Sequence, residues 1–99
     1  MGWKIVRDNN EEFCHEHGIS GQWRRSKDPI AALSKKILEE AGEFVEFHDP
    51  EELYDIRDVV NELLIRLDPS GMAGVRHGSK VDANGMFTRC IEWSPRPAE

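Results

Sequence analysis

The sequence predicts an all-α chain: a helical hairpin at the core of an antiparallel bundle of about four helices, with short β-prone termini and assembly into an oligomer. Three observations predict it. Asp-Pro occurs three times, at Asp28-Pro29, Asp49-Pro50 and Asp68-Pro69. Asp caps helices and Pro suits their first turn, so each pair marks a helix start. Apolar residues recur with helical period after the first two pairs. The join at His48-Asp49-Pro50 is short enough to force a tight turn, which makes the helices on either side antiparallel neighbours.

In chain order, Trp3-Lys4-Ile5-Val6 is short and β-prone. Asn9 to His17 reads as a short helix closed by Gly18, and Ile19 to Lys27 as a polar loop carrying Trp23. The first long helix runs from Pro29 to His48, with Ile30, Leu33, Ile37, Ala41, Phe44 and Val45 as its apolar stripe. Gly42 interrupts it at a cost of about 1 kcal/mol against Ala, and close packing is one reason for a glycine there. The second runs from Pro50 to Leu67, with Leu53, Ile56, Val60, Leu63, Leu64 and Leu67 inward. A third starts at Pro69 and ends before Asn84-Gly85, weakened by Gly71, Gly74 and Gly78, with Met72, Val75 and Ser79 facing inward. Phe87 to Trp93 alternates as a half-buried strand does, and this segment and the N-terminal one suit pairing as a small sheet. The stretch Ser94-Pro95-Arg96-Pro97 reads as frayed.

Ninety-nine residues suit a single domain spanning 1–99. A hydrophobic content of 38% is low for several helices, which points to a core shared between subunits. The net charge of −6 argues against a nucleic-acid binder, and no apolar run is long enough for a membrane span. Cys14 and Cys90 lack zinc-site spacing. They suit a cytoplasmic protein with reduced thiols, a disulfide between them requiring the N-terminal helix beside the last strand.

The chemistry-bearing residues are acidic. Glu39, Glu40 and Glu43 lie in EEAGE on the first long helix, and Glu52 and Asp55 lie in ELYD on the second. Glu40/Glu43 and Glu52/Asp55 share an i, i+3 spacing, which sets each pair about 60° apart on its helix. An antiparallel hairpin brings the two pairs onto facing halves. Basic neighbours are sparse in the local sequence, with Lys35 and Lys36 before the cluster and Arg57 after it. Two readings follow: a solvated acidic face, or a site for a cation that offsets the repulsion. Oxygen-only ligands suit Mg²⁺ or Mn²⁺, and Mg²⁺ commonly bridges carboxylates to phosphate. Asp58, Asn61 and Glu62 extend the polar edge, Asp58 as a group that orients water or ligand or simply as a solvated one.

Other signals are weaker. His15-Glu16-His17 points its imidazoles apart on a helix, and no glycine-rich phosphate loop occurs. Cationic donors for phosphate come from Lys4, Arg7, Arg24, Arg25, Lys80 and Arg89. Of these, Lys80 and Arg89 flank the turn at Ala83-Asn84-Gly85.

The acidic pattern, EExxE followed by ExxD on a hairpin, resembles that of the MazG-like nucleotide pyrophosphohydrolases. The ends are similar to the branch related to phosphoribosyl-ATP pyrophosphohydrolase: Lys4-Ile5-Val6-Arg7-Asp8 for the opening KLVRD-like string, and Lys80, then Asn84-Gly85-Met86-Phe87 leading into Thr88-Arg89-Cys90-Ile91, for the closing one. The resemblance covers nearly the whole chain. It implies a helical homodimer or higher assembly that uses Mg²⁺ to split a nucleotide between its α- and β-phosphates. It implies Glu40, Glu43, Glu52 and Asp55 as metal ligands and Glu39 as a catalytic acid that binds metal indirectly or activates water. Lys80, with Asn84 and Arg89 near it in sequence, becomes the substrate-contact candidate. The glycines between Pro69 and Ser79 depart from the family pattern, as does the short gap between the acidic motifs relative to larger members. A nucleotide-pool pyrophosphohydrolase is the leading expectation. The alternatives are a non-catalytic helical dimer that senses nucleotides or docks a partner, and a phosphoribosyl-ATP pyrophosphohydrolase.

Overall fold

The computed structural model describes residues 2–96. Four helices account for all regular structure among them: α1 (Asn10–Glu16), α2 (Pro29–Phe47), α3 (Pro50–Leu67) and α4 (Met72–Asn84). The chain divides into two compact units, Met1–Leu67 and Asp68–Glu99.

In the first unit, α2 and α3 are the packed helix pair. Asp28 starts α2 by accepting the Ala31 amide at 3.1 Å, and Pro29 takes the first helical position. A cap of this kind contributes about 1 kcal/mol. His48 ends α2 with φ 54, a left-handed conformation, and its amide bonds the Phe44 carbonyl at 2.7 Å. Asp49 then accepts the Glu51 amide at 3.0 Å and starts α3. Two residues therefore reverse the chain, as their sequence predicts.

Leu33 is the one apolar side chain of the hairpin that is buried, and Ile30, Ile37, Ala41 and Phe44 flank it half-buried. Ile56, Val60 and Leu63 answer from α3. Four expected stripe residues do not join them. Val45, Leu53, Leu64 and Leu67 are exposed. Val45 and Leu64 lie at the edges of their stripes, whereas Leu53 and Leu67 lie near the middle of theirs but in the first and last turns of α3. Val59, outside the expected stripe, is half-buried. A Cβ added at Gly42 would meet open space, so no close approach within the chain explains that glycine.

The N-terminal segment is not a strand. Trp3 to Val6 makes no ladder hydrogen bonds, and Ile5 is half-buried against a groove in the same unit. The helix α1 follows, closed by Gly18 at φ 66, with Cys14 buried.

In the second unit, α4 begins later than the Asp68-Pro69 pair predicts. Asp68 still directs the start: its two carboxylate oxygens accept the Ala73 and Gly74 amides at 3.0 and 3.1 Å across a turn ending in Gly71 at φ 77. Asp68 thus reaches the first turn over three intervening residues. Met72, Val75 and Ser79 are exposed, and Ala73 and Val81 are half-buried instead. The expected strand from Phe87 to Trp93 does not form. A turn closes on Cys90, whose φ is 46 and whose amide bonds the Phe87 carbonyl at 3.0 Å, and this breaks the alternation. Every residue of the segment is exposed. Both cysteines are free. Pro97, the end of the stretch read as frayed, lies outside the described residues.

Candidate metal site on the α2–α3 hairpin

The tight turn sets the C-terminal half of α2 against the N-terminal half of α3. Glu40 thereby meets Glu52 and Asp55, and one carboxylate oxygen from each lies within 4.8 Å of the others. Glu40 is only 7% exposed and is the one buried charged residue among those described. One oxygen of Glu52, Oε2, is screened from solvent and meets no protein donor. Carboxylates this close cannot all ionise at their ordinary pKa.

Two cations from outside the cluster relieve part of the repulsion. Lys36, one helical turn before Glu40, reaches it at 3.0 Å and Glu39 at 3.6 Å. Arg7, from the N-terminal segment, spans Asp55 at 2.6 Å and Asp58 at 2.9 Å. The local sequence shows Lys36 but not Arg7, which lies 48 residues from Asp55. The sparse basic neighbours of the local sequence are therefore supplemented by a long-range contact.

Protonation follows from this arrangement. The hydrogen bond with Glu52 and then that with Lys36 hold the Glu40 pKa below its ordinary value. Glu52 moves the other way. Its hydrogen bond to Glu40, its desolvation and the charges of Glu40 and Glu43 push it up to about 7. One proton is thus shared across the pair, with Glu40 the ionised member near neutrality. Partial burial pulls the Lys36 ammonium down, but the hydrogen bond to Glu40 and the charge of Glu39 outweigh it, and its pKa stands above the ordinary lysine value.

Of the four expected ligands, Glu40, Glu52 and Asp55 come together. Glu43 borders Glu52 and acts on it electrically, but lies outside the three-residue cluster. Glu39 points away far enough to be exposed and pairs with Lys36. Asp58 is engaged by Arg7. All of these belong to the first unit. Lys80 and Asn84 lie one turn apart on α4 of the second unit, and Arg89 follows that helix; all three are exposed.

Hard carboxylate oxygens, one of them buried without a donor, fit a divalent cation such as Mg²⁺ or Mn²⁺. A groove of about 620 Å³ opens beside the cluster, and Lys4, Arg7, Lys36, Glu40, Asp55 and Asp58 line it. It offers both acids for a metal and cations for an anion.

The raised Glu52 pKa has a defined effect on the metal-free protein. In the unfolded chain Glu52 titrates near 4.5, and in the folded one near 7. Folding therefore takes up a proton between those values. The stability that this group contributes is full below 4.5 and is lost as pH rises through 7. Urea unfolding in the presence of a chelator should show Glu52→Gln gaining stability over the unsubstituted protein at about pH 8 and little at about pH 4. Parallel pH profiles for the two proteins would contradict the shared proton. No protein-family model matches the chain, and neither a curated protein nor a solved structure does.

Proposed function

We propose that the chain is a Mg²⁺-dependent nucleoside triphosphate pyrophosphohydrolase, with Mn²⁺ as a substitute metal, releasing a nucleoside monophosphate and pyrophosphate. The observation that carries this reading is the meeting of Glu40, Glu52 and Asp55 around a buried Glu52 oxygen that no N–H or cation of the described residues reaches. The EEAGE and ELYD motifs and both chain ends, which resemble the MazG-like pyrophosphohydrolases, supply the substrate class.

Glu40, Glu52 and Asp55 would hold the cation, and Glu43 is placed to join them through Glu52. A divalent cation bound there supplies charge neutralisation on the phosphate oxygens. Binding it requires Glu52 to give up its proton. The family resemblance gives Glu39 as the acid that takes the proton of the attacking water, and here Lys36 links it to Glu40. The water oxygen bonds to phosphorus as the bridging P–O bond breaks, and pyrophosphate leaves with the bonding pair. Arg7 and Lys36 keep the acids in position before substrate arrives and donate to its oxygens afterwards.

The chain is also proposed to act as a homo-oligomer, at least a dimer. No side chain among the described residues is fully buried, whereas Leu38, Val45, Phe47, Leu64 and Ile65 stand exposed on α2 and α3. A second copy covering them would supply the missing core. No helix of the described residues is long and apolar enough to cross a membrane.

A second reading has its own support. Arg7 and Lys36 already offset much of the cluster's charge, which suits a non-catalytic nucleotide-sensing or docking module. Turnover separates the two. Pyrophosphate release from a panel of nucleoside triphosphates should require Mg²⁺, and Asp55→Asn and Glu40→Gln should lower it on the order of 100-fold, the equivalent of about 3 kcal/mol of lost transition-state stabilisation. Nucleotide binding without hydrolysis selects the module, and undiminished turnover in the variants rules out the assigned ligands. Sedimentation at micromolar concentration should give a dimer mass or greater, and a monomer mass would remove the oligomer proposal.

A further inference from the structure

A second groove in the first unit, of about 870 Å³, is lined by Trp23, Arg24, Arg25, Ser26 and Arg66. It shares Ile5, Val6, Arg7 and Leu33 with the acid-lined groove, so the two adjoin around the N-terminal segment. Its charge balance differs: four arginines stand against Asp8, Glu11 and Glu62. Of its four arginines, Arg7 is committed to Asp55 and Asp58, and Arg66 to Glu62 at 2.8 Å. Among the described residues Arg24 and Arg25 have no carboxylate partner, although Asp8 and Glu11 also line the groove. Arg24 lies over the Trp3 ring at 4.0 Å, which orders the guanidinium while leaving its edge free to donate.

The indole N–H of Trp23, a residue of the groove lining, is buried beside Gly21 and has no acceptor. Buried donors are normally paired, and an unpaired one marks a position where an acceptor belongs. Two guanidinium groups without a carboxylate partner and an orphaned N–H stand together on a lining that also carries Asp8, Glu11 and Glu62, in a chain of net charge −6. Guanidinium forks match phosphate oxygens in shape and charge.

We propose that this groove holds the pyrophosphate portion of the substrate, the leaving group of the reaction above, with Arg24, Arg25 and the Trp23 N–H as donors. The inference rests on that reading for the identity of the phosphate chain. The acid-lined groove then holds the cation and the phosphorus that is attacked. Arg24 and Arg25 of the adjoining groove draw the leaving oxygens away from Glu40, Glu52 and Asp55.

Calorimetry with inorganic pyrophosphate and the full chain, in chelator to exclude metal bridging, tests the groove by itself. Saturable binding at one site per chain is expected, with a change in tryptophan fluorescence. The Arg24→Gln/Arg25→Gln variant should bind at least about tenfold more weakly, and Trp23→Phe should weaken binding while keeping the ring. Arg57→Gln removes a cation outside the groove and should leave binding unchanged. Circular dichroism confirms that each variant is folded, and Arg24→Lys/Arg25→Lys, which keeps the charge and loses the fork, should bind between the two extremes. Absence of saturable binding, or equal loss in Arg57→Gln, overturns the inference. If pyrophosphate does not bind but nucleotides are hydrolysed, the groove assignment fails and the enzymatic reading stands. If pyrophosphate binds in the groove and no nucleotide is hydrolysed, the reverse holds: the groove remains a polyphosphate site and the enzymatic reading fails.

Discussion

Glu40, Glu52 and Asp55 bring like charges together at the one place where the hairpin buries a charged residue. Several other features answer to that crowding. Arg7 ties the N-terminal segment to Asp55 and Asp58, Lys36 turns toward Glu40, and Glu52 keeps a proton up to about pH 7. Exposed ion pairs and helix-surface pairs are each worth about 1 kcal/mol or less, so these countercharges moderate the repulsion without making the cluster an ordinary structural network. The Lys36–Glu40 pair also runs in the less favourable order along the helix, with lysine N-terminal to glutamate. A divalent cation offers stronger compensation and satisfies the orphaned Glu52 oxygen at the same time.

The thinness of the apolar core sharpens this picture. Leu33 and Cys14 are the buried apolar residues among those described, and Leu38, Val45, Phe47, Leu64 and Ile65 stand exposed on α2 and α3. A hairpin with so little interior relies on its caps and turn to hold the acids in register. Asp28, His48 and Asp49 fix the ends of the two helices, and hence which residues of α2 face which residues of α3. The site is therefore specified by backbone hydrogen bonds at the turn as much as by packing.

Much of this was legible in the sequence, and the exceptions have physical causes. The hairpin and the facing of Glu40 with Glu52 and Asp55 follow from two Asp-Pro caps, helical periodicity and a short join, all of them local signals. Asp68 shows the limit of such signals: the side chain caps α4 as expected, but across a turn that delays the helix to Met72. The exposed members of the stripes, Val45, Leu53, Leu64 and Leu67, show another. Periodicity identifies an apolar face without saying whether one neighbour is wide enough to cover it. Arg7 on Asp55 and the basic groove around Trp23 depend on contacts distant in sequence, which residue spacing does not encode. The terminal segments have strand-like composition, but a strand exists only through its hydrogen-bonded neighbour, and Trp3 to Val6 and Phe87 to Trp93 have none.

The two grooves of the first unit differ in what they offer: Glu40, Asp55 and Asp58 line one, and Arg24 and Arg25 the other, which the proposed function assigns to a metal and to released pyrophosphate. The division has meaning only if the acids bind a cation. Electron paramagnetic resonance of Mn²⁺ titrated with the protein measures that directly, because the sharp signal of the free ion is lost on binding. The unsubstituted chain should deplete free Mn²⁺ stoichiometrically, Mg²⁺ should compete, and Glu52→Gln and Asp55→Asn should leave the free signal largely intact. Undepleted Mn²⁺ with the unsubstituted chain, or equal depletion by the variants, would contradict a metal site at Glu40, Glu52 and Asp55.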